Sequence, residues 1–151
     1  MNHLELTARL FTALLSLLPP LPASRRPCVE RRHDAIVAAA SATADARAVP
    51  VGLLLSVALF ESHWGCAPGS GSCWGAPVDT RHRLTAGTPD HAAAALARSF
   101  AVCGTWTGAV GRFRAGLCRP WQAAHRAYVA RVMRYAARTY DRAAVPVPSG
   151  L

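Results

Sequence analysis

Residues 51–60 read Val-Gly-Leu-Leu-Leu-Ser-Val-Ala-Leu-Phe, an almost wholly apolar run, and Glu61 follows it directly. If this run is helical, Glu61 shares a face with Leu54 and Ala58 that should be buried. Unpaired carbonyl groups at a helix C-terminus also disfavour a negative charge there. Both effects favour the protonated carboxyl group, which is the form that a general acid needs. Glu61 is therefore the first candidate catalytic residue, and a solvated side chain at a helix end is the alternative.

The composition predicts one globular domain with a basic surface. The chain has 151 residues, of which 52% are hydrophobic and 17% charged, and this excludes a disordered chain. The formal net charge is +9, and all 17 basic residues are arginine. Such a charge favours an anionic partner, namely nucleic acid, an anionic membrane or a cell-wall polymer, without choosing among them.

The five cysteines are Cys28, Cys66, Cys73, Cys103 and Cys118. Their spacing matches no zinc pattern, so we expect neither a metal nor another cofactor. The simplest disulfide hypothesis pairs Cys66 with Cys73 and Cys103 with Cys118, and it leaves Cys28 over. Free thiols in a cytosolic protein are the alternative, and the sequence leaves both open.

Residues 1–27 differ in composition from the rest of the chain. Residues 10–18 form an apolar stretch of signal-peptide length, and a Pro/Arg-rich joint, residues 19–27, follows it. A cleavage site would lie after Ala23. The alternative is an amphipathic helix that packs on the domain. We therefore divide the chain into residues 1–27, a signal peptide or N-terminal apolar segment, and residues 28–151, the main domain.

Helix signals dominate the main domain. Capping residues and prolines predict helices at about residues 33–48, from Pro50 to Glu61, from Thr88 to Cys103, at 105–112, and from Pro120 to Arg142. Residues 65–87 contain five glycines and two prolines, which is typical of a loop or a small β-lobe. The expected fold class is mainly α, with a small irregular or β-hairpin insert.

Three blocks within residues 33–142 resemble the soluble lytic transglycosylase and goose-type lysozyme family. Residues 49–65, VPVGLLLSVALFESHWG, are similar to that family's catalytic helix, which ends in Glu-Ser before an aromatic residue and a glycine. Residues 72–76, SCWGA, resemble its Ser-x-x-Gly-Ala turn. Residues 113–116, FRAG, resemble a degraded Tyr-Asn-x-Gly motif, and Tyr128 with its neighbouring valine opens the final helix as in the family. The resemblance implies a lysozyme-like helical domain.

The chain departs from this family's pattern in two places. The Gly-Leu-Met-Gln stretch that lines the family's sugar groove is replaced by residues 77–84, PVDTRHRL. Phe113 lacks the hydroxyl group of the family's tyrosine, and Arg114 replaces its asparagine. These changes concern contacts in the sugar groove rather than the proton donor.

The resemblance implies a lytic transglycosylase that cleaves the β-1,4 bond between N-acetylmuramic acid and N-acetylglucosamine in peptidoglycan. Glu61 would be its single general acid and base, and a 1,6-anhydro sugar its product. Hydrolysis by a lysozyme would need a second carboxylate. Asp79 is the candidate for that carboxylate, with a turn-forming residue as the alternative, and Asp90 is less suited because it fits the first turn of a helix.

Four further residues are candidates for substrate binding. Ser62 either orients the carboxyl group of Glu61 or caps the helix end. Ser72 resembles the family serine that contacts the acid or the sugar, and Trp74 either stacks on a pyranose ring or fills the core. Phe113 would lie opposite the acid if the family pattern transfers. The remaining tryptophans are predicted to be core residues: Trp64, Trp106 and Trp121.

The expected partners are peptidoglycan glycan strands and, given the net charge, anionic wall polymers. We expect no specific nucleic acid partner because the arginines are dispersed and no recognition motif is present. The protein is expected to be a monomer in the periplasm or outside the cell. The alternative from another class is a non-catalytic helical module that binds the wall or another polyanion.

Overall fold

The computed structural model describes residues 1–18, 21–67 and 88–151, and within these ranges the protein has seven helices and no strand. The prediction of a mainly α fold is therefore confirmed. The predicted irregular or β-hairpin insert falls almost entirely outside the described residues. The helices are α1 (His3–Leu17), α2 (Arg26–Arg31), α3 (His33–Arg47), α4 (Val51–Ser62), α5 (Pro89–Cys103), α6 (Trp106–Ala115) and α7 (Ala123–Ala143).

Capping residues set several helix ends, and one of them, Thr88, is the N-cap that the sequence predicted. The Thr88 hydroxyl accepts a hydrogen bond from the His91 N–H at 3.2 Å and begins α5. The Thr105 hydroxyl likewise begins α6, and glycines in the left-handed conformation end α5 and α6, Gly104 at φ 75° and Gly116 at φ 76°. Such positive φ angles suit glycine because it has no Cβ atom.

Helix α4 is the centre of the fold. Its leucines and Val57 are buried on all sides, since α1, α3 and α7 pack around it. A helix that is apolar all round is a core helix, which explains the unbroken apolar run of its sequence. Each fully buried leucine or valine contributes about 1.5–3 kcal/mol to stability. Only the last turn of α4, with Phe60 and Glu61, becomes partly exposed.

Helix α7 runs antiparallel to α4 and contacts both of its ends. At the start of α4 the Tyr140 hydroxyl accepts a hydrogen bond from the Gly52 N–H at 3.1 Å. At the end of α4 the Tyr128 hydroxyl donates to Glu61. These two contacts fix the register of α7 on α4 and bring Tyr128 to the candidate catalytic residue.

Helix α1 packs into the same core. Its residues Leu10, Phe11 and Leu14 are fully buried, and the Phe11 ring meets the Trp64 ring edge-on at 4.9 Å. Arg9 also donates a hydrogen bond to the Ala143 carbonyl at 2.9 Å. This is the arrangement that the packed-helix alternative predicts, while cleavage of a signal peptide stays a prediction.

Within the described ranges, no helix combines the length and hydropathy needed to span a membrane.

Two disulfides are present in the described part of the chain, and one of them corrects the sequence-based pairing. Cys103 bonds to Cys118, as predicted. Cys66 bonds to Cys28 rather than to Cys73, because α2 places Cys28 beside the end of α4, with a Cα–Cα distance of 5.8 Å. Cys73 lies outside the described residues. Two disulfides indicate an oxidising compartment.

The three tryptophans predicted to be core residues differ. Trp64 is fully buried and donates its indole N–H to the Leu55 carbonyl at 3.0 Å. Trp106 is also buried, and it stacks on Phe100 with ring centroids 4.2 Å apart. Trp121 contradicts the prediction, since it is 72% exposed. It lies in the connection between α6 and α7, outside the buried face of either helix.

Candidate functional site

Glu61, Tyr128 and Arg114 form one polar group at the end of α4, which we call the Glu61 cluster. The Glu61 side chain is 13% exposed. Its Oε1 accepts a hydrogen bond from the Tyr128 hydroxyl at 2.6 Å. The Arg114 Nη1 lies 3.5 Å from both Oε1 and Oε2. The carboxyl group is therefore held from two sides and is still reached by solvent.

Each residue of the cluster comes from a different helix. Glu61 lies in the last turn of α4, Arg114 in the last turn of α6, and Tyr128 on the buried face of α7. The Arg114 guanidinium also lies over the Tyr128 ring, 4.9 Å from its centroid. This distance is within the range of a cation–π interaction. The position of the carboxyl group is thus fixed by the packing of three helices.

Burial raises the pKa of the Tyr128 hydroxyl and is the largest cause of this shift. The charge of Glu61 and the hydrogen bond between Tyr128 and Glu61 raise this pKa further. Arg114 and Arg131 act in the opposite direction without reversing the shift. Tyr128 therefore keeps its proton throughout the neutral range and donates it to a hydrogen bond. Its role in the cluster is to orient the carboxyl group, not to exchange protons.

Arg114 adds an interaction that the sequence did not predict for Glu61. Its guanidinium lies 3.5 Å from the carboxyl group and forms an ion pair with it. The pair is partly exposed, with 43% of the Arg114 side chain accessible, so solvent weakens its attraction. The carboxyl group therefore has a positively charged neighbour as well as the Tyr128 hydroxyl as a hydrogen-bond donor.

The backbone reverses sharply after the cluster. His63 and Trp64 both have positive φ angles, 48° and 54°, which L-residues rarely adopt. The Ser62 hydroxyl accepts a hydrogen bond from the Gly65 N–H at 2.9 Å. This contact joins Ser62 to the turn that follows α4, and both alternatives for Ser62 stay predictions. Such conformations concentrate at functional sites because the surrounding packing must hold them.

His63 faces away from the cluster. Its ring nitrogen Nδ1 lies 2.6 Å from Arg25. Burial lowers the pKa of His63, and the charge of Arg25 lowers it further. It lines a cavity of about 400 Å³ between α4, α7 and the joint after α1, together with Phe60 and Tyr135.

The remaining predicted site residues separate into three groups. Phe113 is buried on α6, directly before Arg114, and its predicted position opposite the acid stays a prediction. Ser72, Trp74 and Asp79 lie outside the described residues. Asp90 forms an ion pair with Arg47, with oxygen–nitrogen distances of 3.0 and 2.9 Å, and the Arg47 hydrogen bond lowers its pKa.

Sequence patterns missed two residues of the cluster as partners of Glu61. The sequence places Tyr128 only at the start of the final helix, with the third block of the resemblance, and this place was the one signal of a contact with Glu61. Arg114 was noted only as a replacement for asparagine.

Among the described residues, no group of three or more His, Cys, Asp or Glu side chains could hold a metal ion.

Comparison of the chain with protein-family models, curated proteins and solved structures gave no match. The Glu61 cluster is therefore the basis on which a function can be proposed.

Proposed function

We propose that this protein is a lytic transglycosylase that cleaves the β-1,4 bond between N-acetylmuramic acid and N-acetylglucosamine in peptidoglycan. One observation carries the proposal: a largely buried carboxyl group, Glu61, ends the central helix and is oriented by a buried tyrosine hydroxyl at 2.6 Å. The resemblance of residues 49–65 to a transglycosylase catalytic helix supports the same assignment.

In this mechanism Glu61 serves as acid and then as base. Its carboxyl group protonates the glycosidic oxygen, and the bond to the muramic acid C1 breaks through an oxocarbenium-like transition state. The resulting carboxylate removes the proton from the sugar's own 6-hydroxyl group, whose oxygen attacks C1 and closes the 1,6-anhydro ring. The proton returns to Glu61, so that the residue is ready for the next reaction.

The other two residues of the cluster have distinct tasks in this scheme. The Tyr128 hydroxyl holds Oε1 and so fixes the direction in which the carboxyl group can transfer a proton. Arg114 lies 3.5 Å from both carboxyl oxygens and stabilises the carboxylate that forms after the first proton transfer. Tyr128 and Arg114 are positioning and electrostatic residues, whereas Glu61 touches the reacting atoms.

A hydrolytic lysozyme is the alternative reaction, and it requires a second carboxylate to stabilise the transition state or activate water. Asp79 keeps that role only as a prediction, because it lies outside the described residues. Asp90 is engaged with Arg47 at the start of α5. The proposed products are therefore anhydro sugars.

A non-catalytic wall-binding or polyanion-binding module is the second candidate function. The ion pair between Arg114 and Glu61 favours it, because such a pair can join α4 to α6 without taking part in any reaction. The net charge of +9 also suits anionic wall polymers. In either case we propose a monomer that acts on peptidoglycan in the periplasm or outside the cell.

Mass spectrometry of the soluble products from purified peptidoglycan tests the proposal. The full chain should be used under oxidising conditions, since α1 supplies fully buried core residues. We expect anhydro-muropeptides from the wild type and none from Glu61→Gln. Glu30→Gln is the matched control, because it makes the same change at an exposed position of α2 and should leave cleavage unchanged.

The products distinguish the candidates. Reducing-end products would indicate a lysozyme and direct attention to Asp79. A folded wild-type protein that releases nothing would contradict both enzyme hypotheses and leave wall binding. Cleavage that persists in Glu61→Gln would show that the acid lies elsewhere.

A further inference from the structure

The connection between α6 and α7, residues 116–122, carries an exposed aromatic ring. Trp121 is 72% exposed, whereas Trp64 and Trp106 are buried. Leu117, in the same connection, is also exposed. Tryptophan has the largest apolar surface of any side chain, so that its exposure indicates a contact surface more strongly than the exposure of a leucine does.

Three contacts hold this connection in place. The Cys103–Cys118 disulfide attaches it to the end of α5. It also packs directly on α6 at Gly111, where an added Cβ atom would lie 3.0 Å from the carbonyl oxygens of Leu117 and Cys118. Arg126, in the first turn of α7, donates a hydrogen bond to the Trp121 carbonyl. A ring carried by a backbone that is held in place loses less conformational entropy on binding than a ring on a mobile loop.

The connection lies beside the Glu61 cluster at both of its ends. It begins two residues after Arg114, and α7, which carries Tyr128, begins directly after it. A small cleft of about 70 Å³ joins the two ends, lined by Ala115, Leu117, Pro120, Trp121, Gln122 and His125. Ala115 is adjacent to Arg114, and His125 lies one turn before Tyr128.

We propose that Trp121 is a stacking residue for a pyranose ring of the glycan strand, so that the glycan site extends from the Glu61 cluster onto the α6–α7 connection. This inference rests on the proposed function. The flat apolar face of an indole matches the C–H face of a pyranose, and Gln122 and His125 in the cleft can hydrogen-bond hydroxyl groups.

Charge around the ring favours an anionic glycan. Arg114, Arg119 and Arg126 are exposed on or next to the connection. Their guanidinium groups suit the carboxylates of muramic acid and of peptide stems. The cleft at Trp121 reaches Ala115, the neighbour of Arg114 in the Glu61 cluster. This placement favours a glycan over a lipid surface, since a strand bound for cleavage must extend past the acid on both sides.

Binding of soluble peptidoglycan glycan strands to the full chain tests the inference. Glu61→Gln serves as the background so that the strands are not cleaved. We expect Trp121→Ala to weaken binding at least tenfold and Trp121→Phe to weaken it less, since an aromatic face remains. Leu4→Ala is the matched control because Leu4 is an exposed apolar residue on α1. Melting temperatures should stay unchanged, since Trp121 contributes little to the core.

Indole N–H signals in nitrogen-15 NMR spectra locate the contact directly. On addition of glycan, the Trp121 signal should shift, whereas the Trp64 signal should not, because its N–H is bonded to the Leu55 carbonyl in the core. Equal affinities for Trp121→Ala and its parent would overturn the inference. So would a Trp121→Ala protein that loses binding to anionic lipid vesicles while it keeps glycan binding, because that result would assign the ring to a membrane surface.

The two proposals fail in different ways. Glycan binding that depends on Trp121, without release of anhydro products by the wild type, would contradict the transglycosylase and keep the stacking residue. Anhydro products that require Glu61, with binding indifferent to Trp121→Ala, would keep the enzyme and overturn the stacking residue. Absence of glycan binding by the parent protein would overturn the stacking residue as well.

Discussion

Helix α7 carries two buried tyrosines that reach opposite ends of α4. At the start of α4 the Tyr140 hydroxyl accepts a hydrogen bond from the Gly52 N–H at 3.1 Å. At the end of α4 the Tyr128 hydroxyl donates one to the Glu61 carboxyl group at 2.6 Å. The same side chain, on the same helix and in contact with the same neighbour, therefore meets a backbone group in one place and an ionisable group in the other.

The hydrogen-bond partner determines the role of each tyrosine. The first N–H groups of a helix have no partner within it, so Tyr140 completes the hydrogen bonding of a buried helix start, a structural role. Burial raises the pKa of both hydroxyls. At Tyr128 the charge of Glu61 raises it further, whereas at Tyr140 the Gly52 N–H lowers it. Of the two hydroxyls, the Tyr128 hydroxyl is the one bonded to an ionisable side chain.

The Gly52→Ala variant should have the largest effect, because it disturbs the structural end alone. An added Cβ atom would lie 2.5 Å from the Tyr140 ring carbon Cε2, so the buried Tyr140 ring would have to move. We expect the free energy of unfolding to fall by about 2–3 kcal/mol, as is usual for overpacking. Urea denaturation measures this change.

A second variant shows whether the loss comes from this contact. Gly52→Ala combined with Tyr140→Leu should lose less stability than the sum of the two single variants, because the smaller side chain removes the clash. Full additivity, or a Gly52→Ala protein as stable as the wild type, would mean that the two helices do not pack this closely.

The Tyr128→Phe variant tests the functional end. Removal of a hydrogen bond to a charged group costs about 1.5–3 kcal/mol, and if this bond orients the acid in the transition state, glycan cleavage should slow roughly 10- to 100-fold. Rates of anhydro-product release per folded molecule measure the effect. Tyr135→Phe is the matched control on α7, since the Tyr135 ring packs on Phe60 at 5.2 Å. Equal rates for the two variants would remove Tyr128 from the site.

The Tyr140→Phe variant should lower the free energy of unfolding and leave the cleavage rate unchanged, and its effect should be smaller than that of Tyr128→Phe. It leaves the buried Gly52 N–H without the hydroxyl that accepts its hydrogen bond, at a cost of about 1–2 kcal/mol in the free energy of unfolding. Cleavage per folded molecule should stay at the wild-type rate. A loss of activity larger than the loss of folded protein would show that the two ends of α4 are coupled.

Much of the fold could be predicted because local signals set it. The apolar run before Glu61 predicts a helix with a buried face, and Thr88 with Pro89 predicts the start of α5, and the structure has both helices. These signals lie within a few residues of the feature that they determine. Glu61 could be singled out for the same reason, since its neighbours along the helix place it on a buried face.

The misjudged parts depend on which elements meet. The pairing of Cys66 with Cys73 assumed that the nearer cysteine forms the bond, but α2 brings Cys28 to Cys66 from 38 residues away. Likewise, periodicity gives a buried face to Tyr128 without naming α4 as its neighbour. Trp121 was assigned to the core from its residue type alone, and its exposure depends on a connection that no helix covers.

The smallest expected effect is a loss of stability at alkaline pH, and it depends specifically on the two tyrosines. Unfolded tyrosines ionise near pH 10, whereas burial raises the pKa of both Tyr128 and Tyr140 in the folded protein. Above about pH 10 the unfolded chain therefore binds fewer protons than the folded chain, and stability falls as the pH rises. Because the Glu61 charge opposes a Tyr128 phenolate, Tyr128→Phe should remove more of this loss than Tyr140→Phe does. Urea denaturation between pH 7 and 11, with Tyr135→Phe as control, measures the difference, and a Tyr128→Phe protein that loses as much stability as the wild type over this range would contradict a raised pKa of Tyr128.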